Sequence, residues 1–251
     1  MCIRDSNQYG PSATYSYIET DSTTVTFNDG LHEGALVKFT TAVNNTGNAV
    51  DASVVTYTPA GTGAVPTNVQ AKLRETVSVK DFGAVGDGVT DDTAAIQAAI
   101  DYALSLYVRI VDGNGGTFPA VMAKVIFPPG VYKTTNTLTM NTGGYATCVL
   151  EGQGQACIYY DGTAEAIYLR PIDPGLTLMT TPSQIRNLTF RGAGTKQGVA
   201  ILLETMTNGV VYNCNIFNFD VGIRISGSEA YDIDLCQQAI DTCNYGIIIE
   251  Q

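Results

Sequence analysis

Apolar residues recur at helical spacing in the stretch from residue 90 to residue 105. The apolar positions, three and four residues apart, are Ile96, Ala99, Ile100 and Ala103. This spacing places them on one narrow face, and the small alanines let that face lie close to a flat surface. Before it, Val77 and Val79 alternate with polar residues, which predicts a short strand at 77–80. With glycines between the two, we expect a strand, a sharp turn and a helix that covers the end of a β structure.

The start of this helix carries three candidate capping residues, Thr90, Asp91 and Asp92. Their side-chain oxygens can accept hydrogen bonds from the unpaired amides of the first turn. The two carboxylates would also lie favourably at the positive end of the helix dipole. The helix is therefore predicted to begin within or just after these residues.

Short strand patterns in the second half of the chain repeat at a fixed interval. Gly198–Ile201, Gly222–Ile225 and Gly246–Ile249 share one pattern, and each starts 24 residues after the one before. Asn187–Phe190 and Asn213–Ile216 repeat a second strand with an offset of 26, which we ascribe to a first loop two residues longer. A fixed period of this size is typical of a solenoid. We predict a parallel β-helix with at least two strands per coil and with Ile, Val, Leu and Phe stacked inside.

The first coils have strand patterns of their own. Val125–Phe127 is a continuous apolar run that enters Pro128-Pro129-Gly130, which predicts a buried strand followed by an enforced turn. Tyr132–Met140 then alternates polar and apolar residues and predicts the next strand.

The residues before Val77 predict a different organisation. Three strand patterns are separated by turn residues: Tyr15–Glu19, Thr23–Phe27 and Ala35–Phe39. They predict a small antiparallel β module over residues 11–58. Residues 59–76 predict a linker with a short helix at Asn68–Glu75, which either faces a neighbouring subunit or is a single exposed turn. Residues 1–10 begin MCIRDS, and we expect a non-native or disordered start there, whereas residues 77–251 form the β-helix.

Three motifs in a fixed order carry a family resemblance: DFGAVGDGVTDDTAAIQAAI at 81–100, VIFPPGVY at 125–132 and LEGQGQACI at 150–158. They resemble the start of the pectate-lyase-like domain of phage tailspike and tail-fibre proteins. Residues 65–84 resemble the junction between the virion-anchoring region and the spike body. The resemblance implies an all-β fold, a right-handed parallel β-helix with an N-terminal capping helix, usually homotrimeric, that binds and often cuts a surface polysaccharide. It implies no single reaction, because the family includes lyases, hydrolases, epimerases and non-enzymatic spikes.

Composition limits the possible partners. The chain has 251 residues and a formal net charge of −11, which argues against nucleic acid because phosphates need a basic surface. A groove can be locally basic, so an anionic glycan is not excluded, although a neutral glycan is favoured. No run of about 18 apolar residues is present, and no basic and then hydrophobic leader opens the chain. We therefore expect no membrane insertion and no signal peptide.

Cysteine and histidine positions indicate no metal site. The six cysteines show neither CxxC pairs nor zinc-finger spacing, so we expect small core residues in a protein assembled in reducing bacterial cytoplasm. His32, the single histidine, lies in the N-terminal module, which excludes Ser-His-Asp and Cys-His catalysis within this chain. The glycines of GAVGDG match neither GxGxxG nor a phosphate loop. The sequence predicts no cofactor and no metal.

One candidate for glycosidic chemistry is a pair of carboxylates in the segment AYDIDL, Ala230–Leu235. Asp232 and Asp234 share one face of the predicted strand, while apolar residues take the other. Two residues along a strand are about 6.5 to 7 Å apart at Cα, which is compatible with either glycosidase geometry. The alternative is two solvated aspartates without a catalytic role.

Basic and aromatic residues of the coils are further candidates for sugar binding. The basic candidates are Arg186, Arg191, Lys196 and Arg224, and the aromatic candidates are Tyr212, Phe219, Tyr231 and Tyr245. In a polysaccharide lyase a cation offsets the charge of a uronate and a base takes its C5 proton. The alternatives are basic residues that serve solubility and aromatic side chains that pack at corners or inside.

The sequence supports three functional hypotheses. The leading one is part of a phage tailspike or tail fibre, a homotrimer in the virion that contacts other tail proteins through its N-terminal side and binds and degrades a host surface polysaccharide. The second is a non-enzymatic adhesin or adaptor whose β-helix is a rigid shaft. The third is a secreted bacterial pectate-lyase-like enzyme. The last strand pattern reaches Gln251 without a polar cap, so we expect further coils beyond it.

Overall fold

The computed structural model describes residues 51–106, 123–140, 148–170, 183–194, 196–205, 209–227 and 233–250, and the backbone of short strand segments outside these ranges. The chain divides into two compact units, Met1–Val55 and Thr56–Gln251. The described backbone of the first unit consists of four strands: β1 (Cys2–Arg4), β2 (Tyr17–Glu19), β3 (Val25–Phe27) and β4 (Lys38–Thr40). Residues 51–55 are described as well. The four strands form two antiparallel pairs, β1 with β4 and β2 with β3. Three of the strands overlap the predicted ones, whereas β1 lies where none was predicted.

The second unit begins with a small hairpin and a short helix. The strands β5 (Thr56–Tyr57) and β6 (Thr67–Asn68) pair antiparallel and lead into α1 (Val69–Leu73). The Asn68 side chain accepts a hydrogen bond from the Ala71 amide at 2.7 Å and so caps the helix. The short helix predicted for this segment is present, and its Leu73 is 66% exposed. That Leu73 faces a neighbouring subunit stays a prediction.

Three parallel sheets form the rest of the second unit, with strands numbered in chain order. Sheet 1 contains β7 (Val77–Ser78), β11 (Ala123–Phe127), β14 (Cys148–Gly152), β17 (Gln184–Arg186), β20 (Val210–Tyr212) and β23 (Asp234–Cys236). Sheet 2 contains β8 (Asp87–Asp91), β12 (Gly130–Thr134), β15 (Ala156–Tyr160), β18 (Thr189–Gly192), β21 (Asn215–Phe217) and β24 (Ala239–Asp241). Sheet 3 contains β13 (Leu138–Thr142), β16 (Glu165–Pro171), β19 (Val199–Glu204), β22 (Val221–Ser226) and β25 (Tyr245–Ile249). An antiparallel hairpin, β9 (Arg109–Val111) and β10 (Thr117–Pro119), interrupts the first coil. The predicted parallel β-helix is confirmed, with three strands per coil.

The core lies inside the three sheets. Inward residues stack on their counterparts in the next coil: Val125, Leu150, Ile185 and Val211 in sheet 1, Ile158, Phe190 and Ile216 in sheet 2, and Ile167, Ile201 and Ile223 in sheet 3. None of these side chains is more than 1% exposed. Burial of each contributes about 1.5 to 3 kcal/mol. This continuous apolar column is what makes one coil depend on the next.

The corner between sheets 1 and 2 explains the repeated asparagines. Asn187, Asn213 and Gln237 occupy this corner in successive coils, with φ of 55°, 50° and 55°. Asparagine tolerates this left-handed conformation better than most residues. The side-chain nitrogen of Asn213 also donates a hydrogen bond to the side-chain oxygen of Asn187 at 2.9 Å, which joins these two corner residues between coils.

The predicted capping helix is present as α2 (Thr93–Ser105). Its buried residues are the four predicted from spacing: Ile96, Ala99, Ile100 and Ala103. Helix α2 contacts β7 and β11 of sheet 1, β13 of sheet 3 and the short 3-10 helix Val79–Phe82. The helix therefore closes one end of the apolar column.

Asp91 and Asp92 have different hydrogen-bond partners at the start of α2. The Asp91 carboxylate accepts from the Thr93 amide at 3.0 Å, as a capping residue does. Asp92 is only 1% exposed and turns back to the glycine turn, where its carboxylate accepts from the amides of Val85 at 2.6 Å and Gly86 at 2.9 Å. Asp92 thus joins the turn to the helix.

Gln97 of α2 closes the edge of sheet 3. Its side-chain oxygen accepts from the Thr139 amide at 2.8 Å, and its side-chain nitrogen donates to the Thr139 carbonyl at 2.9 Å. Thr139 lies in β13, which is the first strand of that sheet. The carboxamide of Gln97 therefore takes the place of a neighbouring strand's peptide group at this position.

One repeat alignment was wrong. The strands β19 and β22 pair with Ile201 beside Ile223. Gly222 therefore lies beside Ala200, and not beside Gly198 as predicted. Sheet 3 advances by 22 residues here, while sheets 1 and 2 advance by 26. The predicted alignment of these two strands is therefore wrong by two residues. Side chains alternate between the two faces of a strand with a period of two, so the wrong alignment still paired inward residues with inward residues.

Two predicted strands differ in extent. Val77 and Ser78 form β7, but the next four residues form the 3-10 helix, because Ser78 caps a turn by accepting from the Lys80 amide. The predicted strand Tyr132–Met140 is two strands, β12 and β13, with a corner between them. Residues 133–137 are all polar, so the alternation is interrupted at this corner, and the prediction of one continuous strand overlooked that break.

Candidate functional site

The structure describes only one residue of the predicted carboxylate pair, Asp234. Asp234 is the first residue of β23 and is exposed on sheet 1. Asp232 lies outside the described residues, so its pairing with Asp234 stays a prediction. The residue beside Asp234 in the preceding coil is Val210, and the one before that is Gln184. The described part of this row therefore brings no second carboxylate to Asp234.

The predicted basic cluster is spread over different faces. Arg186 lies in sheet 1, Arg191 in sheet 2 and Arg224 in sheet 3. Lys196 follows sheet 2 in a corner with φ of 48°. These residues are near one another in the sequence, but each strand of a coil faces a different side of the solenoid.

The aromatic candidates also separate. Phe219 is fully buried, and its ring stacks on that of Tyr160 with 6.3 Å between centroids. Tyr212 is 38% exposed in sheet 1 and Tyr245 is 57% exposed in sheet 3. Tyr231 lies outside the described residues. No two of the described candidates share an outer face.

The outer face of sheet 2 carries a row that the sequence analysis missed. Tyr159, Arg191 and Phe217 lie directly beside one another on β15, β18 and β21. Lys133 precedes them on β12, and Asp241 follows on β24. The residues before them in β12, β15, β18 and β21 are fully buried, so the row faces outward. We call these five residues the sheet 2 ladder.

A shallow depression of about 490 Å³ lies along part of this ladder. It is lined by Cys157, Thr189, Arg191, Phe217, Asn218 and Thr242. The lining combines one cation, one aromatic ring and several hydroxyl or amide groups. Such a mixture can form hydrogen bonds to hydroxyls and apolar contacts with C–H groups at the same time.

Arg191 is the cation of the ladder that has no acidic partner. Lys133 pairs with Asp161 at 3.1 Å, whereas none of the ion pairs in the described ranges includes Arg191. Arg191 is exposed and lies close to Cys157. Burial raises the pKa of the Cys157 thiol, and the positive charge of Arg191 partly opposes that rise. Arg191 is thus the charged side chain among the residues that line the depression, in a chain of net charge −11.

A second polar cluster lies on the outer face of sheet 3. The Tyr168 hydroxyl donates to the Glu204 carboxylate, and Arg170 Nε lies 3.6 Å from the same carboxylate. Burial and the hydrogen bond to Glu204 raise the pKa of Tyr168. The three groups satisfy one another, so the phenol stays a protonated donor and the cluster carries no net charge.

The described ranges contain neither a metal-binding cluster nor a membrane-spanning helix. No three His, Cys, Asp or Glu side chains there lie close enough to hold a metal ion. Neither α1 nor α2 is long and apolar enough to cross a membrane.

The offset of the asparagine corners could have revealed the sheet 2 ladder. Asn187 and Asn213 are 26 residues apart, and the same offset applied to outward positions places Arg191 beside Phe217. Tyr159 could not be found this way, because the segment between Tyr160 and Asn187 breaks the repeat.

The first coils match the model of a known family. Residues 76–157 match the model of the family described as "Rhamnogalacturonase A/epimerase, pectate lyase-like". The chain is 40% identical over 98 residues to the mannuronan C5-epimerase AlgE6 of Azotobacter vinelandii, which covers 36% of this chain and 9% of that protein. It is 41% identical over 66 residues to the tail spike protein of an Escherichia phage, which covers 26% of this chain and 8% of that protein. The predicted resemblance to pectate-lyase-like and tailspike proteins is confirmed for this segment.

A solved structure with a similar backbone is tailspike protein 3 of bacteriophage CBA120. The TM-score is 0.47 with 15% identity, over 80% of this chain and 38% of that one. The chain thus spans a small part of the proteins that it matches in sequence, and under half of this structure.

Proposed function

We propose that this chain is part of a tailspike-like protein that binds a surface polysaccharide, and that the sheet 2 ladder contacts the glycan. The observation that carries the proposal is the row of Tyr159, Arg191 and Phe217 in register beside a depression of about 490 Å³. Aromatic rings provide flat apolar surfaces for the C–H faces of sugars. The guanidinium and the neighbouring hydroxyl and amide groups provide hydrogen bonds to sugar oxygens.

The relatives support a carbohydrate ligand. One is named for its action on mannuronan, one is a phage tail spike protein, and the matching family model is pectate-lyase-like. From these we propose a homotrimer in the phage virion that contacts other tail proteins through its N-terminal side. The host surface polysaccharide is the proposed ligand. A secreted bacterial enzyme is the alternative that the epimerase match supports.

Cleavage of the glycan is a separate part of the proposal. Asp232 and Asp234 remain our candidates for a catalytic pair, and depolymerisation depends on them or on residues of further coils. Binding without cleavage is favoured by one observation, because the described row beside Asp234 contains no second carboxylate. Release of new reducing ends, or of unsaturated ends for a lyase, from a bound polysaccharide would decide for the enzyme.

The binding proposal can be tested with immobilised surface polysaccharides from a panel of bacteria. Phe217→Ala should weaken binding at least about tenfold, equivalent to about 1.4 kcal/mol, because it removes an aromatic contact. Tyr212→Ala is the matched control, since Tyr212 is also half-exposed but lies in sheet 1. Binding by Phe217→Ala equal to that of the wild type, or binding of no polysaccharide by the wild type, would refute the proposal.

A further inference from the structure

The sheet 2 ladder alternates in chemistry along the axis of the solenoid. Its first four residues are a cation, an aromatic ring, a cation and an aromatic ring: Lys133, Tyr159, Arg191 and Phe217. Successive coils are spaced by about 4.8 Å, the distance between neighbouring strands. This spacing is close to the advance of one pyranose residue along an extended polysaccharide. A glycan that lies parallel to the axis would therefore place one sugar over each coil.

The alternation has a period of two coils. A sugar over Lys133 or Arg191 meets a positive side chain, whereas a sugar over Tyr159 or Phe217 meets an aromatic ring. The face of an aromatic ring attracts C–H groups and disfavours a carboxylate. A guanidinium pairs with a carboxylate in a geometry that fits two hydrogen bonds.

From this pattern we infer that the ladder recognises a linear polysaccharide with a disaccharide repeat, in which an acidic sugar alternates with a neutral one. The inference rests on the proposed function and names the substrate class of the same site. Acidic sugars would lie over Lys133 and Arg191, and neutral sugars over Tyr159 and Phe217. Thr189 and Asn215, in the neighbouring outward row, are placed to bind the sugar hydroxyls.

Asp241 sets the length of the site. If the alternation continued, the fifth position of the ladder would carry a cation, but the exposed carboxylate of Asp241 lies there. A fifth sugar would be acidic in this register, and Asp241 would repel it. The described ladder therefore accommodates four sugars, or two disaccharide repeats, over about 14 Å.

Lys133 is the weaker of the two cations in this inference. It pairs with Asp161 at 3.1 Å, with side chains 26% and 45% exposed, and it also lies beside Asp91 of β8. Two acidic side chains therefore already offset its charge, and a sugar carboxylate gains less there than at Arg191. Arg191 has no such partner in the described ranges and is expected to provide most of the discrimination.

Calorimetric titration with three tetrasaccharides tests the inference. Hyaluronan tetrasaccharide alternates acidic and neutral sugars, tetragalacturonate is acidic at every sugar, and chitotetraose is neutral at every sugar. The wild type should bind the hyaluronan tetrasaccharide at least about tenfold more tightly than either of the others. Arg191→Gln should reduce the preference over chitotetraose to less than about threefold, and Arg191→Lys should retain part of it. Arg186→Gln on sheet 1 is the matched control and should change nothing.

The inference is overturned if tetragalacturonate binds as tightly as the hyaluronan tetrasaccharide, if Arg191→Gln keeps the preference, or if none of the three probes binds. These results leave the proposed function intact when surface polysaccharides still bind and Phe217→Ala still weakens that binding. If Phe217→Ala instead binds the surface polysaccharides of the panel as tightly as the wild type does, the proposed function itself is refuted. The two failures are therefore distinguishable.

Discussion

Replacement of Asp92 by alanine should destabilise the β-helix more than any exposed carboxylate replacement near it. The Asp92 side chain accepts two backbone hydrogen bonds, from Val85 at 2.6 Å and Gly86 at 2.9 Å, and is 1% exposed. It therefore holds the glycine turn against the first residue of the capping helix. Alanine removes both acceptors and leaves the two amides without partners.

The expected loss follows from these two hydrogen bonds. A hydrogen bond to a charged group is worth about 1.5 to 3 kcal/mol, so two are worth about 3 to 6 kcal/mol. Val85 is 47% exposed, so water can reach its amide after the replacement. We therefore expect the lower end, about 3 kcal/mol. For a total stability of about 5 to 15 kcal/mol, this is a large fraction.

Urea unfolding followed by circular dichroism measures the effect. Asp92→Ala should lower the unfolding midpoint by the equivalent of about 3 kcal/mol without a change in the slope of the transition. Asp81→Ala is the matched control, because Asp81 lies in the adjacent 3-10 helix and is exposed. Its effect should stay within about 0.5 kcal/mol. A loss below about 1 kcal/mol for Asp92→Ala, or an equal loss for both variants, would refute the reasoning.

Three other perturbations have defined outcomes. Gln97→Ala should speed hydrogen exchange of the Thr139 amide and cost about 1 to 3 kcal/mol, because the two hydrogen bonds to the Thr139 backbone are lost together with an exposed one to Asp101. Unchanged protection of the Thr139 amide would contradict this. Gly222→Ala should cost about 1 to 3 kcal/mol of stability, because the added Cβ would lie 2.7 Å from Ile240 Cγ2. Gly246→Ala is the control and should be neutral, because a Cβ added there would have no neighbouring atom within 4 Å. Burial raises the pKa of the Cys148 thiol to about 12 in the folded chain. The free energy of unfolding is therefore unaffected below pH 9. It falls as the pH rises from 9 towards 12, because the thiol then ionises in the unfolded chain and stays protonated in the folded one. When the pH is raised from 8 to 10.5, the free energy of unfolding, measured with urea, should fall by about 2 kcal/mol less for Cys148→Ala than for the wild type. An equal fall for both proteins would exclude this effect.

The solenoid and its capping helix were predictable because each rests on a local pattern. Inward positions of a β-helix must be apolar in every coil, so a periodic signal survives even when a coil changes length. The four buried residues of α2 were read from spacing alone, since a helix buries a fixed stripe.

The outer faces were not predictable in the same way. Which outward residue lies beside which depends on the length of each corner, and corners vary between coils. Arg186 and Arg191 are five residues apart in the sequence and yet lie in different sheets. Arg191 and Phe217 are 26 residues apart and yet are neighbours. Composition carries no record of this register, and for Arg191 and Phe217 it follows only from the offset between Asn187 and Asn213.

The functions of Asp92 and Gln97 were missed for a related reason. Both bond to backbone groups whose positions depend on tertiary structure, namely the glycine turn and the edge of β13. The sequence offered Thr90, Asp91 and Asp92 alike as helix caps, which is the local role, and Asp91 performs that role.

The carboxamide bridge from Gln97 to Thr139 has a consequence for the path of folding. Before α2 docks, the amide and carbonyl of Thr139 are open to a strand from another nascent chain, as on any exposed sheet edge. Docking of the helix removes that opportunity, so productive folding and intermolecular strand pairing compete for the same peptide group. The competition depends on protein concentration, because docking is intramolecular and strand pairing between chains is not. The yield of folded protein on refolding should therefore depend on how early this helix closes.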